Sequence, residues 1–382
     1  MDDRRPGERR WLLLTGAGHA HLEILRRLIL DPLPEVELTV ISPGPLHHYS
    51  GMVPGYLQGT YREEEIAVRV PDLVARANGK FVAGRAVGLD PGARTVRLEE
   101  GGEVPYDLVS FAVGSNTAGI DEPEVAGEAQ RIKPLERVVA LEERLGDLLR
   151  EPGDRPVAVA VVGGGAAGVE VALAVAALVE KRGKAHRITL LDSGGEILAG
   201  YSGRFRWRAR RILAQRGIEV RTGERVAAVR AGEVETASGA RVLSRLTVWL
   251  TGAVAWPLFR SSGLPLDERG FLLLDDALRS LGDPRIFAAG DCGTLASHPE
   301  TPKAGVYAVR EAPVLWESLK AAVRGGEPPR YEPQRGFLSI LNTADGRALL
   351  DYQGIVSHSR WAWRLKDRID RRFMARYQGL VC

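Results

Sequence analysis

Two glycine-rich turns of one kind constrain this chain more than any other feature. They are Leu14-Thr15-Gly16-Ala17-Gly18-His19-Ala20-His21 and Val161-Val162-Gly163-Gly164-Gly165-Ala166-Ala167-Gly168. Each follows an apolar, strand-like run and opens a helix-like run, so that backbone N–H groups and a helix N-terminus converge on one point, the arrangement that holds a pyrophosphate. Two such turns imply two dinucleotides, and a flavin and a nicotinamide are the natural pair. A third signature, Arg285-Ile286-Phe287-Ala288-Ala289-Gly290-Asp291, comes late in the chain.

Around each turn the periodicity repeats. A strand at 11–15, a helix at 19–30 and a strand at 36–41 open the chain, and the pattern starts over with a strand at 157–162, a helix at 166–182 and a strand at 187–191. A Pro/Gly-punctuated segment follows at 42–59, then strand candidates at 80–89, 95–98 and 108–113, and an amphipathic helix at 132–150 bridges to the second unit. After strands near 226–230, 233–236 and 246–250, residues 263–291 return to the first pattern. Glu327-Pro328-Pro329 reads as a linker, beyond which short strands at 337–356 precede a C-terminal helix. The expected fold is α/β, with two Rossmann-like dinucleotide-binding domains, the second inserted in the first, and a small C-terminal α+β region. The first domain takes residues 1–118 and 256–328, the second 119–255, and the C-terminal region 329–382.

With 382 residues, 45% hydrophobic and 26% charged, the chain can bury a large core. Its formal charge of +3 is too mild to argue for nucleic acid. Cys292 and Cys382 are the only cysteines, which excludes a CxxC relay or a disulfide framework, and no metal site is expected. Charges of both signs in residues 1–10 do not make a secretory signal, so a cytoplasmic protein is expected. The apolar run 157–179 approaches the length of a membrane span, but it contains a triple glycine and Glu170 and reads as a buried strand and helix.

The second turn is a full G-x-G-x-x-G. Gly163 makes the tight turn, Gly165 lets a pyrophosphate approach, and Gly168 lets the helix pack on its strand. Asp192 ends the next strand, where a carboxylate accepts from a ribose 2′-OH and repels a 2′-phosphate, favouring NADH over NADPH. The other reading is that Asp192 caps a turn, with Arg204 and Arg206 available to a phosphate. Glu170 stands either at the nicotinamide end of the site or in a structural role.

In the first turn His21 occupies the third glycine position, and Ser42 stands where the ribose-binding acid is usual. Ser42 offers a ribose an uncharged hydrogen bond. His21 either donates to phosphate or ribityl oxygens or is a satisfied core histidine, and His19, inside the turn, is counted among the cofactor-binding residues. Gly290 and Asp291 support this site, because Asp291 can accept from a ribityl hydroxyl while Gly290 lets the backbone approach. Thr301-Pro302 reads as an N-cap and first-turn proline of a helix from 303 to about 323. Its N-terminus would stabilise negative charge on a reduced flavin. Lys303, in that first turn, either adds to this or is solvated. His47, His48 and Tyr49 either line the cofactor pocket or its acceptor side, or sit on a surface loop.

On these motifs the chain resembles, over nearly its whole length, the flavoproteins with two dinucleotide-binding domains of the pyridine nucleotide-disulfide oxidoreductase superfamily. These include type II NADH dehydrogenases and sulfide:quinone oxidoreductases. Residues 16–21, 49–55 and 361–376 more closely resemble the oxidoreductase module found fused to selenophosphate synthetase. The resemblance implies FAD in the first site, with the Ala86 backbone near the adenine, Gly114 and Ser115 along the cofactor, and Asp291 on the ribityl chain. It implies NAD(P)H at Gly163, Gly165, Gly168, Glu170, Asp192 and Gly252. Two departures stand out. The flavin-proximal cysteine pair that sulfide oxidation needs is missing, and Tyr307, Arg310 and Glu311 stand on the helix where type II dehydrogenases carry paired glutamines.

The expected activity is therefore an FAD-dependent NAD(P)H dehydrogenase passing electrons to a small acceptor, a quinone by resemblance. The other class is a redox sensor or partner protein with little turnover, linked to selenium metabolism. Residues 360–376 carry seven Arg or Lys against Asp367 and Asp370, with Trp361, Leu365, Ile369, Phe373 and Tyr377 at i+4 spacing. Such a helix lies on an anionic membrane at the inner face, or packs on the flavin domain, or packs on the partner of a homodimer.

Overall fold

Strands of a parallel sheet covered by helices on both faces are buried on both sides, so they read as continuous apolar runs. In the computed structural model, all six residues of Val157–Val162 are buried, and Leu12, Leu13 and Leu14 of Arg10–Thr15 are equally so. The structure describes residues 9–133, 135, 137–334 and 336–381. Most of the N-terminal segment read above, residues 1–8, and Cys382 lie outside the described residues.

Two five-stranded parallel sheets share one wiring. The first orders Ile286–Ala288, Leu108–Phe111, Arg10–Thr15, Val36–Ser42 and Lys80–Ala83. The second orders Ala129–Arg131, Leu246–Trp249, Val157–Val162, His186–Asp192 and Ile218–Thr222. In each, the strand that carries the glycine turn is central, flanked by the next strand of its βαβ unit and by a strand that returns late. Every strand of the second sheet falls in sequence between Leu108–Phe111 and Ile286–Ala288 of the first. The chain leaves and re-enters along one antiparallel pair, Asn116–Thr117 with Ala253–Val254. Ligands in such sheets sit beyond the C-terminal strand ends, where the wiring reverses.

A three-stranded antiparallel sheet, Ser339–Asn342, Ala348–Tyr352 and Ile355–Ser359, precedes the helix Arg360–Gln378. Strand alternation splits its faces. Leu341 and Leu349 join the core of the second sheet, while Ala348 and Leu350 pack on Ala362 of the helix. Phe373, Met374 and Tyr377 at the far end of that helix enter the core of the first sheet.

Three elements differ from the sequence reading. The strand read at 80–89 is two, Lys80–Ala83 and Ala86–Asp90, because the first closes the parallel sheet while the second pairs antiparallel with Thr95–Leu98. The bridging helix begins at Arg137, since Ala129–Arg131 is recruited as an edge strand. The segment 42–59 holds the strand Leu46–His48 and the helix Val53–Leu57, whose Val53 and Leu57 pack into the second core. No helix among the described residues is long and apolar enough to cross a membrane.

Candidate functional site

A helix leaves its first N–H groups without intrahelical partners, and a side-chain cap usually satisfies one of them. The helices Gly203–Gln215 and Arg360–Gln378 follow this rule through Ser202 and Ser359. The helices His19–Leu30, Ala166–Lys181 and Gly305–Arg324 have no side-chain cap, their N-caps being Gly18, Gly165 and Ala304. These three start at cavities: Gly18, His19 and Gly305 line one, and Gly165 lines another.

The larger cavity, about 440 Å³, opens at the C-terminal ends of the first sheet. It is lined by Gly16, Gly18, His19, Ser42, Ala86, Gly114, Ser115, Gly290 and Asp291, which brings together every residue assigned to the first site except His21. Five buried side-chain atoms on its lining residues have no hydrogen-bond partner: Thr15 Oγ1, His19 Nε2, His47 Nε2, His48 Nδ1 and Asn116 Oδ1. Unpartnered buried polar atoms are costly, so such a cluster is what a polar ligand satisfies. Burial holds the His19 imidazole down at about 4, outweighing attraction to Asp291, and burial likewise holds His47 well below its usual value. Both rings are neutral near pH 7.

At the floor, Asp291 Oδ2 accepts from Ser115 Oγ at 2.8 Å and from Lys133 Nζ at 3.1 Å. Burial alone would raise this carboxyl, but Lys133, Ser115 and Lys303 together hold it below the ordinary carboxylate value. Lys133 was not legible as a site residue, because it arrives from the loop after the edge strand Ala129–Arg131 of the second sheet. Glu99, also missed, is a carboxylate on the cavity wall with Arg85 3.4 Å away.

His21 is corrected to a core residue. It is fully buried and absent from the cavity lining, and Gly16 O lies 2.5 Å from its Nδ1 and Ser110 Oγ 2.9 Å from its Nε2. The Gly16 carbonyl can only accept, so Nδ1 donates and Nε2 takes the serine proton. Tyr49 turns away from the cavity as well, stacking on Phe373 at 4.4 Å and donating to Asp370 at 3.2 Å, while His47 and His48 line it.

The second cavity, about 290 Å³, is lined by Gly163, Gly165, Asp192 and Gly252. Asp192 lines this cavity and ties the turn, accepting from Gly164 N at 2.6 Å and Gly194 N at 2.8 Å. The arginine on this wall is Arg225; Arg206 is committed to the carbonyls of Ala199 and Tyr201, and neither it nor Arg204 lines the cavity. Gly168 lies outside the lining for a packing reason, since a Cβ there would come within 1.8 Å of Gly163 O.

The helix read from Thr301 begins instead at Gly305, because the Thr301 hydroxyl donates to His298 O rather than capping. Lys303 therefore precedes the helix. It lines a small adjoining cavity rather than the large one, and its ammonium is held by Gly293 O and Thr294 Oγ1 over the Phe271 ring. Cys292 is buried, with its thiol pushed up to about 11 by burial, and lines none of the three cavities.

Glu170 is not on the wall of the second cavity. It points toward the C-terminal region, accepting from Asn342 N at 2.7 Å, and burial pushes it up to about 7 against the opposing pull of Lys366. Lys366 in turn contacts Asp370 at 2.8 Å and Gly51 O at 2.7 Å. This buried pair corrects the face assigned to the last helix. Ala362, Lys366, Asp370, Phe373, Met374 and Tyr377 face the protein, while Trp361 and Ile369 stay exposed at 62% and 43%. The raised Glu170 value fixes a sign. The native state keeps a proton that the unfolded chain gives up, so this stability is full below pH 4.5 and is lost as pH rises to about 7. Glu170→Gln is expected to remove about 1–3 kcal/mol of that decline, read from denaturant midpoints at pH 5 and pH 8.

A family model described as "Pyridine nucleotide-disulphide oxidoreductase" matches residues 12–313. An NADH dehydrogenase-like protein of Mycobacterium tuberculosis is 29% identical over 294 residues, covering 73% of this chain and 72% of that protein. The type II NADH:quinone oxidoreductase NdhA of the same species is 24% identical over 353 residues, covering 85% of this chain and 74% of that protein. Among solved structures, NDH2 from Plasmodium falciparum in complex with NADH superposes with a TM-score of 0.83 over 98% of this chain and 97% of that chain. At 14% identity this is a likeness of fold.

Proposed function

Because the chain belongs to the pyridine nucleotide-disulphide oxidoreductase family, we propose that it is an FAD-dependent NAD(P)H dehydrogenase that passes electrons to a quinone. The observation that carries this reading is the pair of cavities, each at the C-terminal ends of a parallel sheet and each facing an uncapped helix N-terminus. The residues of the larger one fit FAD. Gly16, Gly18 and the first amides of the His19–Leu30 helix would hold the pyrophosphate, Asp291 and Ser115 the ribityl hydroxyls, and Ser42 with Glu99 the ribose. Gly290 and Gly114 let the backbone approach, and the uncapped Gly305 terminus would favour negative charge on the reduced ring system. FAD supplies hydride acceptance and two-electron transfer; the chain supplies orientation and charge.

In the second cavity, Gly163, Gly165 and the first amides of Ala166–Lys181 would hold the NAD(P)H pyrophosphate, with Asp192 on the ribose. The Asp192 carboxylate favours NADH, although Arg225 stands beside it. Quinone reduction by NADH consumes one proton from solution, and Glu170 is proposed as a catalytic group that supplies it: it takes up a proton near neutral pH, within a buried set that reaches Tyr49 through Lys366 and Asp370. Lys303 is proposed to act on the flavin charge from behind the Gly290 turn.

The exposed Trp361 and Ile369, with Arg364, Arg368 and Arg372, suit an anionic membrane surface where a lipophilic quinone would be met. The narrower likeness to the module fused to selenophosphate synthetase supports the second reading, a redox sensor or partner protein with little turnover linked to selenium metabolism. Steady-state NADH oxidation with menadione tests the activity, and co-sedimentation with anionic liposomes, before and after Trp361→Ser and Ile369→Ser, tests the surface. NADH oxidation strictly dependent on the quinone is expected, with binding that the double variant loses. Flavin reduction without reoxidation by any quinone would favour the sensor instead.

A further inference from the structure

Behind the Gly290-Asp291 turn lies a carboxylate with no role so far. Glu311, on the Gly305–Arg324 helix, is 7% exposed and forms no ion pair among the described residues. Its Oε2 accepts from Gly290 N at 2.5 Å. Gly290 lines the large cavity at φ +75°, and a Cβ there would lie 3.1 Å from Ala308 Cβ, so the turn is pressed directly onto the helix. Glu311 is thus one hydrogen bond and one peptide unit from the proposed flavin site.

Its surroundings give it a route for a proton. A cavity of about 20 Å³, room for one water, is lined by Gly290, Asp291, Lys303, Tyr307 and Glu311. The groups that face Glu311 are Lys303 before the helix, Asp291 and Cys292 on the turn, Tyr331 beyond the helix, and Tyr307 on the helix itself, with Arg310 acting on the two tyrosines. Lys303 acts on it only through space, being committed to Gly293 and Thr294. The two carboxylates around this peptide are driven apart. Asp291 is held low by Lys133 in spite of burial, whereas burial pushes Glu311 up to about 7. Groups separated in this way are suited to different proton tasks.

We propose that Glu311 couples proton uptake to the redox state of the flavin site, taking a proton through the small cavity when an electron pair enters and returning it when the pair leaves. This rests on the reading of the large cavity as that site. The balance is simple. Hydride from NAD(P)H brings two electrons and one proton, which leaves one more negative charge in the cavity. The Glu311 carboxylate cancels it by binding one proton from water, and releases that proton to solvent when the quinone removes the pair, the one proton that the quinone takes beyond the hydride coming from Glu170. Glu311 is a positioning residue in this scheme, acting through Gly290 and through space.

The test is the midpoint potential of the holoprotein between pH 5.5 and 8.5, for the wild type and Glu311→Gln, which keeps an oxygen for Gly290 N–H. One further proton per electron pair steepens the dependence by about 30 mV per pH unit. The wild type is expected to show that extra slope over part of the range and the variant to lack it. A reduced-minus-oxidised infrared spectrum of the wild type should show a protonated-carboxyl band. Equal slopes in the two proteins would overturn the proposal. Should the variant retain no flavin, absence of the band in the wild type would overturn it alone. A wild type without flavin would instead defeat the reading on which the proposal rests.

Discussion

Replacing Gly168 by alanine is expected to leave a flavoprotein that NAD(P)H no longer reduces. The added Cβ would meet the Gly163 carbonyl oxygen at 1.8 Å, and the obstacle is backbone, which cannot rotate away as a side chain would. Either the Ala166–Lys181 helix lifts off Val157–Val162, or Gly163 gives up its turn at φ +115°. Both moves displace the amides proposed to hold the pyrophosphate. Overpacking alone costs about 1–3 kcal/mol, and loss of the oriented amides should weaken NADH binding by two orders of magnitude or more at roughly 1.4 kcal/mol per tenfold. Anaerobic stopped-flow reduction measures this, with photoreduction as the control that the flavin is still competent. The equivalent place in the first turn shows why the two sites differ: there His21 fills the gap between helix and strand and bonds Gly16 O, so that turn tolerates a side chain where the second cannot.

The second large effect is expected at Asp291. Asp291→Ala removes the proposed acceptor for a ribityl hydroxyl and strands Lys133, which now shares a proton network with Asp291 and Ser115 at 2.8–3.1 Å. A hydrogen bond to a charged group contributes about 1.5–3 kcal/mol, so FAD affinity should fall roughly ten- to hundredfold. The variant should purify largely without flavin and regain its spectrum only at added FAD. Asp291→Asn keeps the geometry without the charge and should lie between. Full flavin occupancy in Asp291→Ala would remove this residue from the site.

The fold was legible because its signals are local and repeated. The two glycine turns each sit between an apolar run and a helix, and the apolar run must be a buried strand if the turn is to face a ligand. Asp291 was legible for the same reason, lying in the turn just past the strand Ile286–Ala288 and beside a glycine at positive φ. What sequence could not give were side chains whose roles depend on distant partners. Lys133 and Glu99 belong to linking or hairpin segments and carry no periodic signal. Lys366 and Asp370 read as the polar face of an amphipathic helix, yet they are buried because Tyr49 and Gly51 O, over 300 residues away in sequence, satisfy them. Thr301-Pro302 has the composition of a helix start, but its hydroxyl finds His298 O first. Glu170 was singled out by its distance from Gly168, and its partner Asn342 lies in a sheet that no motif announces.

The central claim is that electrons enter at the second cavity, pass through FAD in the first, and leave to a quinone. Its most direct test is an anaerobic titration of the purified protein followed by its visible spectrum. One FAD per chain is expected, bleached stoichiometrically by NADH and restored on adding one equivalent of a quinone. A protein that holds no flavin, or a flavin that NADH leaves oxidised, would contradict it.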